Sequence, residues 1–274
     1  MATFNCEDTI GAAVDSILAQ TYPNWELIVC DDGSTDRTLA ILERRFAELD
    51  AGRAVLLRNE TNRKLAYSLN RCLEASSAEL VARMDGDDLS EPDRLWKQVE
   101  FLEQHPDIDV VGTAMRRFNE QGDGEVMHPM DETPDRWSLA KGVGSPFFHA
   151  TILMRRNAYE AVGRYTVSWR TERGQDLDLW YKFFAAGLQG RNMREALYRV
   201  REDAAAIRRR TPRARIGGFV TRLKGNWALR YPPSAYARAT VDALKIFIPY
   251  KVFDWHRKRS YDRAKVSQST AASA

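Results

Sequence analysis

Apolar positions recur along this chain in two alternating rhythms. Ile10, Val14, Ile17 and Leu18 share one helical face within residues 8–20, and Thr21-Tyr22-Pro23 closes that run. Leu27-Ile28-Val29-Cys30 is continuously apolar instead, the pattern of a strand covered on both faces. The two rhythms then repeat. A helix is expected through Leu39, Leu42, Phe46 and Leu49, a strand over 54–57, and a helix through Leu65, Leu69, Cys72 and Leu73. A strand over 80–84, a helix over 93–104 and a strand over 110–115 follow. Such alternation predicts an α/β fold, a mostly parallel sheet flanked by helices, with ligands at the carboxyl ends of the strands.

Beyond this stretch the pattern loosens. Residues 122–145 mix glycine, proline and charge, which predicts a loop or lid. A strand over 150–154, a short helix over 157–162 closed by Gly163, and a helix over 177–186 ended by Gly187 come next. After Arg201 the chain is arginine-rich with helical character, and residues 267–274 read as a frayed end. Two parts are therefore expected, residues 1–203 and a basic helical extension over 204–274.

Charge sharpens that division. The chain of 274 residues carries a net +3, but residues 1–200 sum to −9 and residues 201–274 to +12. An acidic body and a basic tail suit different partners. No run of eighteen apolar residues and no leader pattern stands out, and three scattered cysteines give neither a zinc site nor a disulfide framework. A cytoplasmic location is the expectation.

The acidic residues collect at strand ends. Asp85-Gly86-Asp87 closes the strand expected over 80–84; two carboxylates around a glycine can hold a hard divalent cation, which would stabilise a departing diphosphate. An EF-hand loop from Asp85 would need Gly and Glu where Ser90 and Trp96 stand. An aspartyl phosphatase motif fails at Leu89, and a solvated acidic turn remains the plain alternative. Asp31-Asp32-Gly33-Ser34 ends the first apolar strand, where a carboxylate could accept from a base N–H or a ribose hydroxyl; a helix-capping turn is the simpler reading. Asp176, in Gln175-Asp176-Leu177-Asp178, opens a helix and could act as a general base, or with Asp178 merely complement the helix dipole.

Taken together these segments resemble the inverting family 2 glycosyltransferases of the GT-A nucleotide-sugar fold. The resemblance is carried by Thr3-Phe4-Asn5, residues 16–23, residues 26–36, Asn62, Asn70, Ala82 through Asp88, Pro92 through Leu95, His149-Ala150-Thr151, Gly163-Arg164-Tyr165 and Gln175 through Trp180, spanning about residues 1–200. It implies a metal-dependent enzyme moving a sugar from a nucleotide-sugar donor, with UDP as nucleotide, to a glycan or lipid-linked acceptor in polysaccharide biosynthesis. Thr3 and Glu7 would border the nucleotide, Asp32 would contact the base, and Asp31 would support the turn. Asp87 would ligate Mn2+ or Mg2+ with Asp85, which also faces the ribose, and Asp176 would deprotonate the acceptor.

Several departures from the family pattern carry expectations of their own. The apolar strand that usually precedes the Thr-x-Asn block is expected to be missing, which keeps a degenerate nucleotide-binding protein as the alternative function. Lys64 stands where relatives often have glycine. Arg201 stands where many have histidine; it cannot ligate a metal but can pair with phosphate oxygens. His149 is expected to organise the acceptor side. In the tail, aromatic and cationic residues interleave over 244–259, as suits peripheral contact with an anionic membrane at its inner face, or a packed helix with a basic face. Nothing in the tail points to nucleic acid.

Overall fold

The computed structural model describes residues 1–49, 52–141, 144–202 and 211–244. The continuously apolar run near the start becomes β2 (Leu27–Asp31), buried at every position. It is flanked in parallel by β1 (Ala2–Thr3) and β3 (Ala54–Arg58), with Ala2 opposite Cys30 and Leu27 opposite Ala54. Residues 2–3, at the Thr-x-Asn block itself, thus pair with this sheet. Met1 continues that pairing, its amino nitrogen donating to the Ile28 carbonyl at 2.7 Å and its carbonyl accepting from Cys30 at 2.9 Å. Three helices accompany this sheet: α1 (Ile10–Leu18), α2 (Thr38–Ala47) and α3 (Leu65–Ala75).

A parallel bridge from Ala2 to Asp85 joins this unit to a second sheet. That sheet contains β4 (Leu80–Ala82), β5 (Leu89–Ser90), β6 (Val110–Asn119), β7 (Gly122–Met127), β8 (Leu153–Arg155) and β9 (Gly190–Arg201), in the order β4-β8-β6-β9-β5 with β7 beside β6. Only β6 and β9 run parallel in it; the β4–β8, β6–β8, β5–β9 and β6–β7 pairs are antiparallel. Parallel pairing therefore holds for β1–β3 and for β6–β9. The segment expected as a loop over 122–145 begins instead as β7, a hairpin arm returning along β6.

Helices α4 (Arg94–Gln104), α5 (Arg156–Ala161) and α6 (Gln175–Ala185) cover this sheet. α6 delivers Leu179, Trp180, Phe183 and Phe184 to the largest apolar core, where Phe147 packs 4.8 Å from Trp180. Beyond β9, α7 (Pro212–Ala228) starts with Thr211 capping Ala214 N–H and proline at the first turn, and α8 (Pro233–Leu244) follows. Leu229, Tyr231 and Ala235 enter that same core. The close approach needs glycine: a Cβ on Gly225 would sit 2.1 Å from the Tyr181 ring, and one on Gly217 would sit 2.7 Å from the Arg170 carbonyl. Of the segment proposed for membrane contact only Leu244 belongs to the described residues, and the end at 267–274 lies outside them. Among the described residues no helix is long and apolar enough to cross a membrane.

Candidate active site

The carboxyl ends of β1, β2 and β4 bring Thr3, Asp31 and Asp85 to one rim of the molecule, as their pairing requires. Gly86 locks the acidic segment against β1. A Cβ there would lie 3.2 Å from that of Thr3, and Thr9 Oγ1 donates to the Gly86 carbonyl at 3.0 Å.

The first corner is built on neutral donors. Asp32 is 4% exposed. Its Oδ1 accepts from Asn59 Nδ2 at 2.6 Å, the Arg63 amide at 2.8 Å and Ser68 Oγ at 2.9 Å, while Oδ2 accepts from the Lys64 amide at 2.9 Å. Asp32, expected to contact the base, thus already holds the loop between β3 and α3, with Oδ2 taking one of these bonds and Oδ1 three. Asp31 differs. Its Oδ2 accepts from the Ser34 amide at 3.1 Å, but Oδ1 is buried without a partner, as is Thr3 Oγ1 on the neighbouring strand. Glu7 is clipped to the start of α2 through the Arg37 amide and Nε, both at 3.0 Å, and these contacts hold its carboxyl below the usual range. Gly33 takes φ +74°, and a Cβ there would strike the backbone of Thr61 at 2.8 Å, so the turn admits no other residue comfortably.

Lys64 keeps φ +73° and ψ 159°, a region essentially reserved for glycine. Its amide hydrogen bond to Asp32 helps hold that strain in place. The mismatch expected at this position is thus real, and it is local.

The second corner is crowded with carboxyls. Burial would raise the Asp85 carboxyl, but the adjoining Arg83 guanidinium, hydrogen-bonded to its Oδ1, leaves it below the usual range. The Asp85 amide donates a hydrogen bond to Tyr198 OH at 3.1 Å. Burial and repulsion from Asp85 and Asp87 push the Asp88 carboxyl up to about 7. Arg201 grips this segment from β9: its amide donates to Asp88 Oδ1 at 2.8 Å and its Nε to the Asp87 carbonyl at 3.0 Å, with the guanidinium over the Phe118 ring. It therefore lies against the acidic segment, where its hydrogen bonds hold a backbone carbonyl and a carboxylate.

The third corner is the start of α6. Burial raises the Asp176 carboxyl, opposed by the helix amide of Leu177 and by the charges of Arg83 and Arg222. Arg83 thus acts on Asp85 and Asp176 alike. Asp178 plays another part: it accepts from Arg170 Nη1 at 2.6 Å and from Thr166 Oγ1, a buried ion pair rather than a simple dipole contact. His149 lies beside this corner, its Nε2 2.8 Å from Tyr165 OH and its ring edge-on to Trp180. Burial, with Arg83 nearby, lowers it to about 3, so it is neutral at physiological pH.

Sequence reasoning assigned no role to Arg83, Arg94 or Tyr198. Arg94 is fully buried; its Nε donates to Gln98 Oε1 at 3.0 Å and its Nη2 to the Arg83 carbonyl at 2.8 Å, and burial lowers it to about 10. A lone arginine in an amphipathic helix gives no sign of this; only the tertiary packing of α4 against the strand before Asp85 reveals it.

Among the described residues no group of three His, Cys, Asp or Glu side chains is arranged to hold a metal by itself. A divalent ion at Asp85 and Asp87 would complete its shell with water and phosphate oxygens, a common arrangement for Mg2+ at nucleotide sites. The mutual repulsion that raises Asp88 suits a cation there. These residues fit the group.

The model of the family "Glycosyl transferase family 2" matches residues 1–163. EpsE of Bacillus subtilis strain 168, named as a glycosyltransferase, is 43% identical over 261 residues, covering 94% of this chain and 92% of EpsE. An Escherichia coli protein, the UDP-Glc:alpha-D-GlcNAc-diphosphoundecaprenol beta-1,3-glucosyltransferase WfaP, is 26% identical over 73% of this chain and 75% of its own length. Staphylococcus aureus TarS 1–349 in complex with UDP superposes with a TM-score of 0.67 at 20% identity, over 89% of this chain and 68% of that one. The mannosyltransferase PcManGT of Pyrobaculum calidifontis, in complex with GDP-Man and Mn2+, gives 0.61 at 21% identity, over 92% and 81%. Both structures carry the GT-A fold. With the family model and the EpsE match spanning strands, acidic corners and C-terminal helices together, this chain belongs to glycosyl transferase family 2.

Proposed function

We propose that the protein transfers a sugar from a UDP-sugar to a hydroxyl of a glycan or lipid-linked acceptor, inverting the anomeric carbon in one displacement. The observation that carries this reading is the buried guanidinium of Arg83, which hydrogen-bonds Asp85 and whose charge also acts on Asp176 at the head of α6. Two carboxylates of different duty then share the influence of one cation.

Asp31 Oδ1 and Thr3 Oγ1, buried and unpartnered, are the atoms best suited to meet base and ribose groups, because an orphaned polar atom gains most from a new hydrogen bond. Asp32 keeps the loop after β3 in position, and Glu7 keeps the start of α2 at the pocket edge. Asp87 and Asp85 would hold Mn2+ or Mg2+, which when bound neutralises charge on the diphosphate. Asp176 takes the acceptor proton. Its raised carboxyl is a stronger base than an exposed one, and the acceptor oxygen attacks the anomeric carbon as the bond to the diphosphate breaks. No covalent enzyme intermediate is required.

The activity that WfaP is named for supports a lipid-linked acceptor, and the +12 charge of residues 201–274 supports work beside an anionic membrane. The alternative reading is a degenerate protein that binds nucleotide without transfer. Titration calorimetry of UDP with and without Mn2+, followed by a hydrolysis screen over UDP-, GDP- and dTDP-sugars, separates the two. Metal-enhanced UDP binding with release of UDP from one donor is expected. Metal-independent binding with no donor turned over would overturn the transferase reading.

A further inference from the structure

α7 carries two stripes, and only one of them is packed. Gly217, Thr221 and Gly225, four residues apart, form the packed stripe: the glycines close on Arg170 and Tyr181, and Thr221 Oγ1 accepts from Arg170 Nη1 at 3.1 Å. Ile216, Val220, Leu223 and Trp227 form the other, spaced by four, three and four residues and centred about a third of a turn away. None of these four enters an apolar core of the described residues. Ile216 is exposed, and Trp227, at 78%, is the most open large apolar side chain among the described residues.

α8, which packs beside α7, repeats the arrangement. Ala235 and Ala239 are buried, whereas Ala237, Val241 and Leu244 are exposed, again at spacings of four and three. Exposed apolar side chains concentrated on two neighbouring helices mark an interaction surface.

Charge identifies the occupant. Residues 211–244 carry six Lys and Arg against one Asp, a net +5. Lys224 lies one turn before Trp227 and Arg230 just after it, both exposed. Residues 245–274 also sum to +5, so this surface repels the chain's own end, and it repels a second copy of itself. The fitting occupant is therefore anionic. Nucleic acid would engage the cations and leave the apolar stripe bare. An anionic bilayer engages both, with the cations at the headgroups and the indole and aliphatic side chains at the interface.

We propose that the outward face of α7 and α8, anchored by Ile216 and Trp227 and rimmed by Lys224 and Arg230, docks on an anionic lipid surface. This gives the membrane reading above a defined surface, distinct from residues 244–259. Docking needs neither donor nor metal and so stands apart from sugar transfer. Because Gly217 and Gly225 bring α7 directly onto its neighbours, the docked face lies about one helix diameter from α6.

The test floats the full 274-residue chain with vesicles of phosphatidylcholine alone and of phosphatidylcholine and phosphatidylglycerol in equal parts. Flotation is expected only with the anionic vesicles, weakening as salt is added. The double variant Ile216→Ser, Trp227→Ser should partition about tenfold less or weaker still. Lys224→Glu with Arg230→Gln should show a comparable loss. All four side chains are exposed, so thermal midpoints and UDP binding should match those of the parent chain. Brominated lipid should quench tryptophan emission in the parent, and Trp227→Phe should lose most of that quenching. Equal flotation of the parent and the serine variant would overturn the proposal, because residues 245–274 would then carry the binding. Failure of the parent to float with either vesicle would overturn it in favour of an acidic protein partner. A parent dimer that the serine variant splits would overturn it in favour of self-association. No readout here uses donor turnover, so failed flotation leaves the transferase reading standing, and a chain inactive on every donor leaves this surface standing.

Discussion

The β1–β3 unit and the mixed sheet beyond it hold their carboxylates in opposite ways. Asp32 is bound by two amides, an asparagine and a serine, none of them charged. Asp85 and Asp178 are bound by the guanidinium groups of Arg83 and Arg170. Neutral donors fix a carboxylate without cancelling its charge, whereas an arginine does both. The corner at Asp32 thus keeps its negative charge and is held by several donors. The mixed sheet instead carries a network of compensated charges, in which one substitution is felt at several groups.

The largest effect expected from breaking this contrast is at Asp176. Asp176→Asn should lower transfer by about 10²- to 10⁴-fold, the range for a general base, while UDP binding by calorimetry changes less than twofold. Joint loss of both would mean that the two corners are not separable. The pH–rate profile should show its acid limb above the ordinary carboxylate range, because burial raises this group. Next comes Asp32→Ala, which strips four donors of their acceptor in a buried place. A loss of about 3 kcal/mol in urea unfolding is expected, with the site's other carboxylates untouched.

A third effect belongs to His149. Its imidazole is held neutral down to about pH 3 in the fold, whereas the unfolded residue titrates near its ordinary value of 6.5. The unfolded chain therefore binds the extra proton between those values, and stability falls as pH drops below about 6.5. His149→Gln should flatten the dependence of the thermal midpoint between pH 6.5 and 5. Smallest is Lys64→Gly, which relieves a φ of +73° and should add about 1 kcal/mol despite the greater freedom of glycine when unfolded. No gain in urea midpoint would mean that the loop relaxes around the lysine.

The two regions also differ in how openly their sequences speak. β2 and helices α1 to α4 come straight from apolar rhythm, because each element there buries one stripe or both faces. β9 does not. Arg191, Arg194, Glu195, Arg199 and Arg201 interrupt its apolar positions, yet it pairs with β6 along most of its length and receives β5 on its other edge. β7 is hidden by its glycines and by exposure of its first four residues. At the site, the acidic clusters are legible because they sit at strand ends. Arg83 and Tyr198 are not, since their importance comes from contacts across long stretches of chain. The hydrogen bonds that Asp32 takes from the loop at 59–68 are equally invisible, as they depend on tertiary placement.

Gly217 and Gly225 of α7 carry a consequence for how this enzyme can be dissected. Gly217 lets the helix backbone lie on Arg170 and Gly225 on Tyr181, while Arg222 of the same helix exerts its charge on Asp176. Amputating the chain after β9 would bare the aromatic flank of α6 and retune that carboxylate at once. A minimal catalytic fragment of this protein must therefore reach at least through α8.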